Sequence, residues 1–84
     1  MATNWNWMER AERRGDIRHI YKTGNRIHGK QRCTGQSIYL GYFERRTWDG
    51  LTSWSWTTAS YRTLNNAENR WVSAELGVMN EGVK

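Results

Sequence analysis

The spacing of polar and apolar residues predicts a short helix near the N-terminus. Asn6 followed three residues later by Glu9 is the pattern of a capping box, and Gly15 is typical of a helix stop. These two signals predict a helix within about residues 4–14. The residues predicted to make its buried contacts are Trp7, Met8 and Ala11.

A second helix is predicted near the C-terminus. Asn65 and Glu68 form another capping box, and apolar residues follow at intervals of three and four. The helix is predicted over about residues 66–76, with Gly77 as its stop and a frayed tail at 79–84. The residues predicted to face the core are Leu64, Ala67, Trp71, Ala74 and Val78.

Between the helices, alternation of polar and apolar residues predicts two strands joined by a glycine-containing turn. The alternation over about residues 16–22 predicts a strand with His19 on its buried side. A weaker strand is predicted over about residues 26–33, and it leaves His28 exposed. We therefore expect neither histidine to bind a metal.

The strongest local signal is Asp49-Gly50, a dipeptide that suits a type I′ turn. It predicts a long hairpin made of strands at about residues 37–48 and 51–63. One face of this hairpin is expected to be core over the half distant from the turn. Its predicted cross-strand pairs are Trp48 with Leu51, Arg46 with Ser53, Tyr42 with Thr57, Leu40 with Ala59, and Ile38 with Tyr61.

The opposite face of the hairpin collects aromatic side chains and an arginine. In the same register Phe43 lies across from Trp56 and Arg45 lies across from Trp54, with Tyr39 further along. If these rings face outward, they form a platform on which unpaired bases can stack. The alternative is that they pack beneath a helix, with Arg45 lying over Trp54 as a cation–π pair. A slip of one residue would exchange the two faces.

The predicted elements indicate an α+β fold class with the order αββββα. We expect one small domain over residues 1–84, in which an antiparallel four-stranded meander is flanked by helices. Aliphatic residues are few, but 6 Trp, 4 Tyr and 1 Phe are present. Each buried aromatic side chain contributes roughly 150–250 Å² of area, so the rings can supply much of the core.

The formal net charge of +5 is unevenly distributed along the chain. Residues 10–46 carry ten cations against three carboxylates, whereas residues 47–84 carry three cations against four carboxylates. Most of the cations are arginines, which favour bidentate contacts with phosphate or carboxylate groups. This asymmetry predicts an anionic partner, and the alternative is a basic face that is merely solvated.

The sequence lacks the residue patterns of the common catalytic and metal sites. Two histidines and the lone Cys33 are too few for structural zinc, and no phosphate-binding loop or nucleophile motif occurs. We therefore expect no enzyme activity and no cofactor. A single cysteine fits a reducing, cytoplasmic setting, and the absence of a long apolar stretch predicts no membrane partner.

These observations predict a small basic binding module that contacts nucleic acid through an Arg-rich face and the aromatic hairpin face. Phosphate contacts would come from the guanidinium groups and base stacking from the rings. The predicted contact residues are Arg10, Arg13, Arg14, Arg18, Arg26, Lys30, Arg32, Tyr39, Phe43, Arg45, Trp54 and Trp56.

The alternative function is a protein–protein interaction module or inhibitor. Trp, Tyr and Arg are also the residues enriched in interface hot spots, so the same face could bind a larger protein with an acidic surface. An example is a phage or mobile-element protein that blocks a nucleic-acid-processing or defence complex of its host. A homodimer formed through an exposed strand edge is a further option.

One segment resembles a known type of DNA-binding strand. The run Ile38 to Phe43, preceded by a basic hairpin, resembles the third strand of integrase arm-binding domains, in which three strands precede a helix. The resemblance implies duplex DNA as a partner. The sequence departs from that pattern at residues 44–50, which lead into another turn and a Trp-rich strand instead of a helix.

Overall fold

The structure is a computed structural model that describes residues 5–29 and 37–82. The predicted α+β class, with four antiparallel strands between two helices, is confirmed. The first three elements in chain order are helix α1 (Trp5–Arg13), strand β1 (Ile17–Thr23) and strand β2 (Arg26–His28). The last three are strand β3 (Ser37–Trp48), strand β4 (Leu51–Thr58) and helix α2 (Asn66–Glu81).

The strands form one sheet in the order β2-β1-β3-β4. All three pairings are antiparallel, and β3 lies beside β1, so the order is not strictly sequential. The described part of β2 is only three residues long, and residues 30–33 of the strand predicted there lie outside the described residues. Because β2 is short, the first half of β1 has only β3 as a neighbour in the described sheet.

The β3–β4 hairpin has the predicted turn and register. Asp49 and Gly50 have φ angles of 54° and 78°, the positive values that a type I′ turn requires. Trp48 pairs with Leu51, and the register continues without a shift to the far end of β4. That end is Thr58 rather than residue 63, so the predicted pair of Ile38 with Tyr61 does not form.

A β-bulge in β3 exchanges the faces of the side chains beyond it. Ile20 pairs with Gly41, but the next residue of β1, Tyr21, pairs with Tyr39, so Leu40 is an extra residue. Leu40 therefore turns into the core and Tyr39 turns to the opposite face. Gly41 has a φ of 154°, a conformation that favours glycine.

Helix α2 covers one face of the sheet and creates the main core. The buried cluster combines sheet residues with Val72 of the helix and Leu64, which precedes it. The capping box of Asn65 and Glu68 is present as predicted. The sheet residues of the cluster are Ile20, Leu40, Phe43 and Trp54.

The face of α2 that packs on the sheet differs from the prediction. Ala67, Ala74 and Val78 are exposed, whereas Glu68 and Val72 are buried. The prediction counted helical intervals of three and four residues from Leu64. Leu64 precedes the N-cap Asn65, so it is not part of the helix and does not share its periodicity. Trp71, Leu76 and Met79 are partly buried and pack against the core cluster.

The C-terminal boundary of α2 was also predicted wrongly. Gly77 lies inside the helix, which continues to Glu81, so residues 79–81 are not a frayed tail. Met79 packs against the core, and this burial outweighs the roughly 1 kcal/mol penalty of a glycine within a helix.

Helix α1 covers part of the other face. Ala11 is buried as predicted, Met8 is half-buried, and Trp7 is exposed, contrary to the prediction. The helix begins before Asn6, which is therefore not its N-cap. Gly15 does end the helix, because the Asp16 amide donates to the Ala11 carbonyl (2.8 Å) and the Gly15 amide to the Glu12 carbonyl (3.0 Å).

The hairpin face that was expected to be core is largely accessible. Tyr42 is half-buried, whereas Ile38 and Tyr61 are exposed. Leu40 is fully buried, but it reaches the core by way of the bulge and lies on the other face. The sequence identified the hairpin register, but the bulge exchanged the faces of Tyr39 and Leu40, and the packing of α2 decided which face became the core.

Candidate functional site

The aromatic face of the hairpin lies beneath α2. Phe43 and Trp54 are only 1% and 8% exposed, and the Phe43 ring centroid lies 4.8 Å from Trp56 and 6.2 Å from Trp71. The prediction that Phe43, Trp54 and Trp56 face outward is therefore wrong, and the alternative of packing under a helix is confirmed. The helix buries its apolar residues against this face, where they join the sheet residues in one core.

Two arginines converge on one carboxylate where α1 meets the sheet. Asp16 Oδ1 accepts hydrogen bonds from Arg45 Nε (2.9 Å) and Nη2 (2.6 Å), and Oδ2 accepts one from Arg14 Nε (3.1 Å). The hydrogen bonds from Arg45 and Arg14 hold the pKa of the Asp16 carboxyl below its ordinary value. The Asp16 carboxylate is therefore ionised at neutral pH and holds both guanidinium groups in place.

A third guanidinium group joins this pair through Trp54. The guanidinium carbons of Arg18 and Arg45 lie 5.5 Å and 5.6 Å from the Trp54 ring centroid, which is cation–π distance. We call Arg14, Arg18 and Arg45 the arginine cluster. With the single carboxylate of Asp16 among them, the three cations leave a local surplus of positive charge.

The remaining cations of the predicted site are dispersed. Arg10 and Arg13 lie in the last turn of α1, and Arg13 is 3.9 Å from the Glu9 carboxylate. Arg26 pairs with Thr23 at the other end of β1, five residues and therefore about 16 Å along the strand from Arg18, at a rise of about 3.3 Å per residue. Lys30, Arg32 and Cys33 lie outside the described residues.

Tyr39 belongs to a cleft that the sequence did not reveal. The cleft has a volume of about 560 Å³ and lies on the face opposite the main core. Tyr21 on β1 and Tyr42 on β3 lie on the face that simple alternation along each strand gives them. Tyr39 joins them only because of the bulge. We call this group the tyrosine cleft, and its principal lining residues are Met8, His19, Tyr21, Tyr39, Tyr42 and Tyr61.

Polar contacts hold the base of the tyrosine cleft. A 2.7 Å hydrogen bond joins His19 Nδ1 to the Tyr39 hydroxyl, and Glu12 Oε1 lies 3.9 Å from His19 Nε2. His19 is thus half-buried as part of a cleft rather than part of the core. His28 was expected to be exposed but is half-buried, with Nε2 2.7 Å from the Thr23 hydroxyl.

The tip of the hairpin presents two large apolar side chains to solvent. Trp48 is 83% exposed and Leu51 is 75% exposed, and they flank the Asp49-Gly50 turn as a cross-strand pair. The sequence placed this pair correctly but gave no signal of its exposure. An exposed indole at the end of a long ribbon is a feature of protein interfaces.

The structure contains neither a metal cluster nor a membrane-spanning helix within residues 5–29 and 37–82. No three His, Cys, Asp or Glu residues of that part of the chain are placed to hold a metal ion. Neither described helix is long and apolar enough to cross a membrane. Comparisons with protein-family models, curated proteins and solved structures find no match for this chain.

Proposed function

We propose that this protein binds nucleic acid through the phosphate backbone, with the arginine cluster at the centre of the contact. The observation that supports this function is the convergence of Arg14, Arg18 and Arg45 around the single carboxylate of Asp16. Guanidinium groups recognise phosphate bidentately, and a surplus of them attracts a polyanion over a distance.

The cluster is organised before any ligand arrives. Asp16 restrains Arg14 and Arg45, and the Trp54 ring restrains Arg18, so little side-chain freedom remains to be lost on binding. The Arg14 side chain is 62% exposed and uses only its Nε atom on Asp16, which leaves its terminal nitrogens available to a phosphate. The cluster therefore combines accessible donors with fixed positions.

Binding through phosphates has recognisable consequences. Phe43 and Trp54 are covered by α2, so the rings of this hairpin face are not available as a platform for base stacking. We expect contacts that position a backbone and discriminate little between base sequences. Arg10 and Arg13, one turn or less before the cluster, extend the cationic surface along α1.

The test is a titration of a labelled duplex and a labelled single strand, followed by fluorescence anisotropy at salt concentrations from about 50 to 200 mM. Arg14→Gln is expected to weaken binding severalfold and to reduce the slope of log K against log salt by about one. Arg70→Gln is the matched control, because it removes the same charge from an exposed site on α2. Arg70 lies about 15 Å along the helix from Asn80, the residue of α2 that contacts Trp54.

Two results would contradict this function. One is the absence of binding to either nucleic acid at low salt. The other is an equal loss of affinity in the Arg14 and Arg70 variants, which would mean that net charge alone, and not the cluster, drives the association.

A second candidate function is binding to a protein through the hairpin tip, favoured by the exposure of Trp48 and Leu51. Its test is affinity capture from nuclease-treated lysate at high salt, with the wild-type protein and Trp48→Ala in parallel. A stoichiometric protein that is retained by the first and lost from the second supports this function. Nuclease-sensitive capture that does not depend on Trp48 contradicts it.

A further inference from the structure

The tyrosine cleft is a feature of the described residues that the proposed function does not use. We propose that it binds an alkylated ammonium group, the chemical class that includes choline and methylated lysine. The site lies on the sheet face opposite α2, and the inference does not depend on nucleic-acid binding.

The walls of the cleft are aromatic rings set at steep angles. The ring centroids of His19 and Tyr39 are 5.5 Å apart with their planes at 55°, and those of His19 and Tyr42 are 6.0 Å apart at 69°. Tyr21 and Tyr39 are 5.4 Å apart, again at 55°. Rings inclined to one another in this way offer a rounded group several contact directions, whereas a flat base stacks best on parallel faces. Aromatic enclosures of this kind recognise quaternary ammonium ligands through the negative faces of the rings.

The described lining of the cleft carries no cation, and one carboxylate lies beside it at His19. No Lys or Arg is among the described residues that line it, although the whole protein carries a net charge of +5. The Glu12 carboxylate lies 3.9 Å from His19 Nε2, and its side chain is 54% exposed. A ligand cation in the cleft would thus contact aromatic rings and lie near the Glu12 carboxylate, which is separated from it by His19.

The hydroxyls of Tyr39 and Tyr21 are neutral at physiological pH. Burial raises the pKa of Tyr39 well above its ordinary value, with smaller contributions from neighbouring tyrosines and Glu12. Burial, and then the Glu12 charge, also raises the pKa of Tyr21. Only the Glu12 contribution is a negative field, and that part favours an ammonium group at the same place.

Arg62 already makes a cation–π contact with Tyr61, which lies at the rim of the cleft. The guanidinium carbon of Arg62 lies 6.0 Å from the centroid of Tyr61, at the rim of the cleft. We therefore assign the ligand to the inner rings of Tyr21, Tyr39 and Tyr42. A nucleotide fits this site less well, because its phosphate would approach the Glu12 carboxylate.

The test compares choline with 3,3-dimethylbutan-1-ol, which has the same shape but no charge. Isothermal titration calorimetry measures affinity, and chemical shifts of the Met8 methyl group report the place of binding. We expect choline to bind about tenfold more tightly than its neutral isostere. Glu12→Gln should weaken choline binding about two- to fivefold and leave the isostere unaffected.

Glu81→Gln is the matched control, since it removes one exposed carboxylate from the end of α2, on the other side of the sheet. It should alter neither affinity. Equal binding of choline and the isostere would overturn the inference, as would the absence of saturable choline binding by the folded wild-type protein. Tighter binding of adenosine than of choline would overturn it in favour of a base pocket. None of these outcomes depends on phosphate contacts at the arginine cluster.

Discussion

The side-chain amide of Asn80 bonds both backbone groups of Trp54. Asn80 Oδ1 accepts from the Trp54 amide (2.7 Å) and Nδ2 donates to the Trp54 carbonyl (3.3 Å). Strand β4 is at the edge of the sheet, so these backbone groups would otherwise be open to pairing with another strand. A single side chain of α2 thus takes the place of a neighbouring strand and ties the end of the helix to the hairpin.

Removing this amide is expected to destabilise the protein and open the edge. Asn80→Ala should lower the free energy of unfolding by about 1 to 3 kcal/mol, because two partly buried hydrogen bonds are lost. Urea denaturation measures the change. Ser73→Ala, at an exposed position of the same helix, is the control and should remain within about 0.5 kcal/mol of wild type.

The Asn80 variant should also associate with itself more readily than wild type, measured by sedimentation velocity, since the β4 edge gains free donors and acceptors. Unchanged stability together with unchanged sedimentation would show that the amide contributes nothing at this edge.

Two glycines should respond oppositely to substitution by alanine. At Gly41 a Cβ atom would lie 2.8 Å from the Trp56 ring and closer still to the Thr57 carbonyl oxygen, and φ is 154°. Because backbone atoms cannot move aside easily, we expect Gly41→Ala to abolish cooperative folding or to cost several kcal/mol. At Gly77 a Cβ atom meets nothing within 4 Å.

Gly77→Ala should therefore stabilise the protein by about 0.5–1 kcal/mol, the helix propensity difference between the two residues. Thermal denaturation followed by circular dichroism measures both variants. A stable Gly41→Ala protein would mean that the bulge in β3 can be repaired by a simple shift of register.

The buried pair of Glu68 and Lys22 predicts a loss of stability in acid. Lys22 Nζ donates to Glu68 Oε2 (2.7 Å), and the Asn65 amide donates to Oε1 (2.9 Å). These bonds, that from Lys22 first, lower the pKa of Glu68 below its ordinary 4.5. Since the folded protein holds the ionised form more strongly than the unfolded chain does, this contribution is complete above the ordinary pKa and is lost as pH falls through the lowered value.

Glu68→Gln should accordingly be less stable than wild type at neutral pH. Its stability should fall less steeply than that of wild type between about pH 5 and pH 3. Asp16 retains its own lowered pKa in the variant, so some sensitivity to acid remains. Chemical denaturation at several pH values measures the slopes, and Glu81→Gln should have the slope of wild type. Parallel slopes for Glu68→Gln and wild type would refute this assignment.

Two aromatic residues of β3 should differ sharply in their importance for folding. Phe43→Ala removes a fully buried ring and is expected to cost about 3–5 kcal/mol. Trp48→Ala removes an exposed ring and should change the free energy of unfolding by about 0.5 kcal/mol or less. Guanidinium denaturation measures both. Similar losses in the two variants would contradict the placement of Phe43 beneath α2.

Features of the fold that depend on a few neighbouring residues could be predicted from the sequence. The Asp49-Gly50 turn sets the hairpin register, because only certain residues adopt positive φ angles in a tight turn. The capping box of Asn65 and the helix stop at Gly15 are equally local. These three signals were confirmed, whereas the equally local signals at Asn6 and Gly77 were not, since α1 begins before Asn6 and α2 continues past Gly77.

The candidate site could be predicted only in part. The concentration of arginines was visible in the sequence, but their contacts were not. Arg14 and Arg45 both bind Asp16, and Arg45 is 29 positions away from it along the chain. Tyr39 illustrates the same limit, since the bulge at Leu40 moved it from the predicted platform to the cleft. A bulge depends on how two strands fit together, which alternation within one strand does not reveal.

The sequence by itself determined the order of the elements, the hairpin turn and the hairpin register, because bonding between near neighbours specifies these features. Only the tertiary structure decided which face α2 covers, where Gly77 falls within a longer helix, and which arginines meet. Those outcomes depend on the free energy of burying surface between distant segments. That free energy depends on how all the packed segments fit together, so it cannot be deduced from any single stretch of the chain.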